Sequence, residues 1–228
     1  MEKQTSFTDQ RTQMVMQQLV ARGIRDTAVL AAMNQVPRER FVPQSYRAHA
    51  YEDCPLPIPA NQTISQPYIV ALMLSKLRLE PTNRILEIGT GSGYAAAILG
   101  QIVRQVFTVE RHAELVLYAR KRLQTLQYTN IQVHQGDGTL GWPEFAPYNG
   151  IVVSAGGPEV PRSLKPQLTI GGRLVIPVGR HHRQQQLIIL TRYSETIFDE
   201  ERCMPVSFVP LIGAEGWRGE DDWDEMRH

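Results

Sequence analysis

An α/β fold with a doubly wound, mostly parallel three-layer sheet is what this chain predicts, on three observations. From Pro67 to Pro177 short apolar runs alternate with segments of helical periodicity, the rhythm of parallel strands joined by crossover helices. One run, Ile85-Leu86-Glu87-Ile88, enters Gly89, Gly91 and Gly93 at every second position, so a strand ends in a tight turn where a ligand can approach the backbone. The helix after it is expected to point its N–H groups at the same spot. Late in the chain the rhythm breaks: Gln186 to Tyr193 and Cys203 to Pro210 look like two strands with no helix between them, an antiparallel C-terminal pair at one sheet edge.

The elements follow in order. Residues 9 to 36 carry helical periodicity, with Met16, Leu19 and Val20 on one face before Gly23; Asp26 can then cap a second helix bearing Val29, Leu30 and Met33 that stops at Pro37. Prolines at 37, 43, 55, 57, 59 and 67 recur too often for helix or central strand, which predicts a long ordered loop region from Val36 to Pro67. Tyr68 to Leu79 reads as helix, Arg84 to Ile88 as strand, Gly93 to Ile102 as helix, Gln105 to Val109 as strand and Ala113 to Gln127 as helix. Strands at Ile131 to Gln135, Gly150 to Ser154 and Gly172 to Pro177 come next, with a short helix around Arg162 to Leu168 before the last. His181 to Gln186 and the acidic stretch Glu220 to Glu225 read as a solvated loop and a solvated end. The organisation predicted is one domain: a helical and loop extension over 1–66, a core over 67–217 and an acidic tail over 218–228.

Composition narrows the function classes. With 228 residues, one sizeable core is feasible. Lys and Arg number 24 against 23 Asp and Glu, a formal charge of +1, so no strong field invites nucleic acid or an anionic membrane. Cys54 and Cys203 have no C-x-x-C partner, which argues against a disulfide framework or zinc site. No window reaches the ~18 consecutive apolar residues of a membrane span, and the first twenty residues lack an apolar signal core. The expectation is a soluble cytoplasmic protein, acting as a monomer.

The spacing of the glycines narrows the ligand. A dinucleotide fingerprint places its third glycine three residues after the second, whereas Gly93 follows Gly91 by two, and Glu87 stands two before Gly89. Both details suit a cofactor with a ribose and an amino-acid-like tail, such as S-adenosylmethionine. Past the next strand, Glu110 can accept hydrogen bonds from ribose hydroxyls; past the third, Asp137 and Gly138 put an acid and a flexible N–H where an adenine edge would lie. Each is ordinary alone, as a strand cap or an Asp-Gly turn. In order and at this spacing they describe a methyl-donor site.

The flanking segments are more specific. Val36-Pro37-Arg38-Glu39-Arg40-Phe41-Val42-Pro43, Pro55-Leu56-Pro57-Ile58, Gln62-Thr63-Ile64-Ser65-Gln66-Pro67, Leu86 to Tyr94, Gly136-Asp137-Gly138 and Phe208-Val209-Pro210-Leu211 resemble the protein-L-isoaspartate O-methyltransferases, a likeness running from about Arg11 to Trp217. The resemblance implies a Rossmann-like methyltransferase fold and a repair enzyme. Its substrates would be isoaspartyl-containing peptides and proteins, and the S-adenosylmethionine methyl would pass to the isoaspartyl α-carboxylate. The ester would then close to a succinimide unaided, and hydrolysis would partly restore aspartate. It also implies Ser65 as the catalytic serine, orienting a carboxylate oxygen, and Thr63, Ile64, Ser65, Glu87, Gly89, Thr90, Gly91, Gly93, Glu110, Asp137 and Gly138 around the cofactor. From spacing alone Ser65 reads rather as a cap for the helix starting near Pro67, and only the resemblance overturns that. Val206 to Leu211, including Phe208, Val209 and Pro210, could bind an extended peptide by main-chain hydrogen bonds or form a buried edge strand.

Three departures from the family pattern stand out: Pro59-Ala60-Asn61 where Gly-x-Gly is usual, Asn149 where aspartate is common, and Ser154-Ala155-Gly156 in place of Thr-Ala-Ala. They keep two alternatives open, a small-molecule carboxyl methyltransferase and a cofactor-binding homologue with impaired catalysis. A nucleotide-dependent oxidoreductase is a third.

Overall fold

The computed structural model describes residues 6–179 and 184–219. His181, His182, Arg183 and the acidic stretch from Glu220 lie outside the described residues.

The N-terminal extension begins with α1 (Phe7–Gln13), where the Ser6 hydroxyl accepts from Asp9 N at 3.1 Å, and runs straight into a π-helical segment over Met14–Val20. Here the periodicity misled. The Ala21 N–H bonds back five residues to Met16 O, and this wider turn rotates the face, so Met14, Val15 and Leu19 are buried while Met16 is 56% exposed. Asp26 caps α2 (Thr27–Gln35) through Val29 N at 3.0 Å, and the helix stops where Pro37 forces Val36 into an extended conformation.

The proline-rich stretch is not all loop. It holds short 3-10 turns at Arg38–Arg40 and Gln44–His49 and an antiparallel hairpin of β1 (Leu56–Ile58) and β2 (Gln62–Ile64), burying Leu56, Ile58 and Ile64. Ala60 and Asn61 turn the hairpin at φ 56° and 54°, a left-handed pair that matches strand twist.

From α3 (Pro67–Lys76) onward the alternation holds: β3 (Arg84–Ile88), α4 (Tyr94–Ile102), β4 (Gln105–Glu110), α5 (Ala113–Thr125), β5 (Ile131–Gln135), β6 (Tyr148–Val153), β7 (Leu168–Val178), β8 (Gln185–Arg192) and β9 (Phe198–Val206). The sheet order is β5-β4-β3-β6-β7-β8-β9, with the first five strands parallel and β8 antiparallel to both neighbours. Strand alternation sends Ile85, Val106 and Val152 to one apolar layer with Met33, Leu74, Ala97 and Leu123 from the helices. Leu86, Phe107, Ile151 and Val153 face the other layer, covered by 3-10 turns and loops bearing Trp142, Phe145 and Leu164.

Two strands sit elsewhere than their composition suggested. β7 begins at Leu168, because Gly171 at φ 84° lets the strand bend through a register shift against β6 that a Gly-Gly pair hides. β9 runs from Phe198 to Val206; its charged Asp199, Glu200 and Glu201 belong to an exposed edge strand, and the apolar Phe208-Val209-Pro210 leaves the sheet. Among the described residues no helix is long and apolar enough to cross a membrane, and no group of three or more His, Cys, Asp or Glu side chains is placed to hold a metal ion.

Candidate active site

The carboxyl ends of β3, β4 and β6 open into a solvent-accessible cleft, where ligands of doubly wound sheets bind. Its floor is the turn after β3. Gly89, Gly91 and Gly93 take φ of 88°, 53° and 87°, which side chains resist, and Gly89 N is tied to Val109 O at 2.9 Å. Gly138 is demanded by space: a Cβ there would lie 2.3 Å from Ile88 Cγ2, so its backbone lies directly on the strand end.

Two carboxylates organise this floor in different ways. Glu110, 5% exposed, accepts from Gly91 N at 3.0 Å and His112 N at 2.9 Å, so it fixes the glycine turn and keeps further lone pairs for hydroxyl donors in the cleft. Glu87 is buried on the α4 side of β3. Desolvation pushes its pKa up to about 8; the nearby Glu110 adds to this, while the Thr108 hydroxyl at 2.6 Å and the Ala96 N–H pull it down. Thr90 completes that chain with Oγ1 2.6 Å from Thr108 Oγ1. The Ala96 N–H is in the first turn of α4, so Glu87 caps the helix from below, and Tyr94 N reaches Ser92 Oγ at 3.4 Å. Those two donors are held within the protein, and Ala95 between them lines the cleft.

Ser65 reaches the cleft from β2, with Thr63 and Ile64 beside it. Its carbonyl accepts from Arg38 Nη2 at 2.9 Å, while its hydroxyl has no protein partner among the described residues. It does not cap α3. That helix starts after Gln66 without a side-chain cap, and Asp53 takes the role from a distant loop, accepting from Tyr68 N at 3.4 Å and Gln66 Nε2 at 2.7 Å. Arg38 itself is fully buried, donates to Ala50 O at 2.8 Å and stacks 4.8 Å over the Tyr94 ring; burial lowers its pKa.

The remaining predicted residues divide. Glu87, Gly89, Thr90, Gly91, Glu110, Gly138, Val209 and Pro210 line the cleft. Gly93 sits behind it as the N-cap of α4. Asp137 does not line it: Oδ1 takes Thr139 N at 2.9 Å and Thr139 Oγ1 at 2.7 Å, and Oδ2 takes Ala214 N at 2.7 Å, which pins the 214 loop. Val206 ends β9 opposite Gln185, and Phe208 turns into the core, so neither lines the cleft. Leu211, from the predicted peptide-binding segment, and Ser154 line it too; Ile212, Arg111, His112 and Leu115 line it without a role in the sequence reading, where only the adjacency of Arg111 and His112 to Glu110 gave a signal.

The profile of the protein-L-isoaspartate(D-aspartate) O-methyltransferase family matches residues 10–216. The chain belongs to this family. Among its relatives, protein-L-isoaspartate O-methyltransferase 2 of Pelobacter propionicus is 60% identical over 204 residues, 90% of this chain and 91% of that one. The Rhodopseudomonas palustris protein-L-isoaspartate O-methyltransferase is 57% identical over 205 residues, 90% and 94% of the two chains. A solved protein-L-isoaspartate O-methyltransferase superposes with a TM-score of 0.83 at 30% identity, covering 90% of this chain and 67% of its own. A putative Plasmodium falciparum member, solved in complex with S-adenosyl-L-homocysteine, gives 0.77 at 25% identity, over 89% and 98%. The family match takes in the N-terminal helices and the segment after β9, so the regions that deliver Ser65 and Pro210 to the cleft belong to the family's own sequence pattern.

Proposed function

We propose that the cleft binds S-adenosylmethionine at its β3–β4 end and an isoaspartyl peptide beside Ser65 and Val209 to Ile212, and that the enzyme methylates the isoaspartyl α-carboxylate. The observation that carries this reading is the unpartnered Ser65 hydroxyl, which shares one cleft with the glycine turn and Glu110. Positive φ at the glycines and the place of the glycine turn, Glu110 and Gly138 in the cleft lining fit the cofactor. When bound, the cofactor supplies a methyl group already activated by its sulfonium.

The chain's own residues then have a limited task. An α-carboxylate has a reference pKa of ~3.3–3.7, so the nucleophile is ionised at neutral pH and no general base is needed. Ser65 donates its hydroxyl proton in a hydrogen bond to one carboxylate oxygen and leaves the other facing the methyl group. Glu110 holds the ribose hydroxyls, Gly138 presents its backbone on the adenine side of the cleft, and Ile64, Val70, Leu211 and Ile212 exclude water. Asp137 supports this wall indirectly by holding Ala214. Main-chain recognition of the peptide falls to Val209 N–H and Pro210 C=O, which have no protein partner among the described residues.

The Pro59-Ala60-Asn61 departure does not argue for impaired catalysis, since Asn61 adopts at φ 54° the left-handed angle that glycine would take, and Pro59 is not among the positive-φ residues. Asn149 is also accommodated, its Oδ1 accepting from Arg84 N at 2.8 Å. The same reading takes the protein as a cytoplasmic monomer working as one domain, in which Met14, Leu19 and Phe41 of the extension over 1–66 share one apolar cluster with Ile85 and Val106 of the core over 67–217. Radiolabelled methyl transfer tests the reading: an isoaspartyl peptide is labelled and its aspartyl counterpart is not. Equal labelling of the two, or preference for a free small carboxylic acid, overturns it.

A further inference from the structure

We propose that Gln185 is a positioning residue for the peptide substrate: its buried side-chain amide clamps Phe208, and so holds the Phe208–Leu211 segment in the form that the cleft presents. The inference rests on the function proposed above.

Gln185 opens β8 and is fully buried, yet the sheet does not need its side chain, because its backbone already pairs with Val206. A buried primary amide is costly unless its donor and acceptor are both matched. Here both are: Oε1 accepts from Phe208 N at 2.8 Å and Nε2 donates to Phe208 O at 3.2 Å. The amide stands in for a residue of a neighbouring strand, just where the chain has left β9.

The other end of the segment is held by Gly156. Its N–H donates to Val209 O at 2.8 Å, and its carbonyl accepts from Leu211 N at 2.9 Å and Trp217 Nε1 at 2.9 Å. A Cβ on residue 156 would lie 2.4 Å from Gln185 Nε2. Gly156 is absent from the positive-φ residues, so its backbone does not require glycine. What requires it is the space that the amide occupies. Gln185 and Gly156 are therefore a matched pair.

Anchors at Phe208, the Val209 carbonyl and Leu211 leave Val209 and Pro210 lining the cleft, with the Val209 N–H and Pro210 C=O unpartnered among the described residues. A segment already ordered spares the peptide the cost of ordering it on binding. The clamp should act on peptide affinity more than on the methyl-transfer step.

Steady-state kinetics with an isoaspartyl peptide test this on wild type, Gln185→Ala, Gly156→Ala and the double variant. Gln185→Ala should raise the peptide KM about tenfold, with kcat and the calorimetric S-adenosylmethionine Kd changed by no more than about threefold. Gly156→Ala should push the amide aside and raise KM by a similar factor. The double variant should be no worse than the more affected single, because both changes remove the same bonds. Unchanged KM in both singles overturns the proposal, as do additive losses accompanied by weaker cofactor binding. If wild type methylates no isoaspartyl peptide, the functional reading fails instead. The clamp is then judged by hydrogen exchange at the Phe208 amide, faster in Gln185→Ala if the clamp exists and unchanged if it does not.

Discussion

Glu87 and Glu110 are two carboxyl groups at the ends of adjacent strands, and burial gives them separate work. Glu87 lies on the face that packs under α4, where desolvation dominates and its pKa rises from 4.5 to about 8. A largely neutral Glu87 at pH 7 leaves Glu110 without a charged neighbour on that side. Because the folded-state pKa is the higher one, the proton stabilises the fold fully below about pH 4.5, and the contribution is lost as pH rises through about 8. Urea unfolding should therefore show wild-type stability falling from pH 5 to pH 8.5 by more than that of Glu87→Gln, which keeps the neutral form. Parallel profiles would mean that Glu87 is ionised in the fold. Glu110→Gln should weaken cofactor binding by ~1–3 kcal/mol in calorimetry, the worth of a hydrogen bond to a charged acceptor. Ser65→Ala should behave differently again. Its hydroxyl has no protein partner among the described residues, so thermal stability and cofactor affinity should hold while kcat drops about tenfold or more. A lower melting temperature would restore the capping role that Asp53 holds in the structure.

The β1–β2 hairpin was not legible in the sequence, and the reason is physical. Three-residue strands among prolines carry too little periodicity to register, and the turn uses alanine and asparagine where glycine would have signalled it. Ala60 at φ 56° is strained, so Ala60→Gly should raise stability by up to about 1 kcal/mol in denaturant unfolding. A loss would show that the hairpin's stiffness outweighs the strain. By contrast, β3, α4, β4, α5 and β5 were legible almost to the residue, because each is a periodic segment whose apolar face is buried by its immediate sequence neighbours. The glycine turn and Glu110 were legible for the same reason, standing at fixed offsets from strand ends. What failed depended on partners far away in sequence: the Asp53 bonds that free Ser65 from capping, the Ala214 bond on Asp137, and the Gln185 clamp that turns Phe208–Leu211 from an apparent strand into a cleft wall. β9 was misplaced because an edge strand keeps its charges and shows no apolar alternation.

Three stretches far apart in the chain meet over one cleft: Gln62–Ser65 from the extension, Gly89–Ser92 from the first crossover and Val209–Ile212 after the last strand. None is in the central sheet, and each is held by a few specific bonds, so the sheet is a rigid base and the walls are where ligand binding can add stability. Arg38 connects the first wall to the rest by gripping Ser65 O and Ala50 O from a fully buried position, and Gly156 and Gln185 connect the third. Binding of S-adenosyl-L-homocysteine should therefore slow amide hydrogen exchange in 62–66, in 89–92 and around Glu110–His112. The β8–β9 turn at Tyr193–Ile197, outside the cleft, should exchange as before. At a ligand concentration 100 times its Kd, the fold should also gain about 2.7 kcal/mol against unfolding. Protection confined to the glycine turn would mean that the extension is not part of the cofactor site. Adding an isoaspartyl peptide to that complex should then extend the protection to the Val209 amide, and an aspartyl peptide should not, which separates the cofactor walls from the substrate wall in a single measurement.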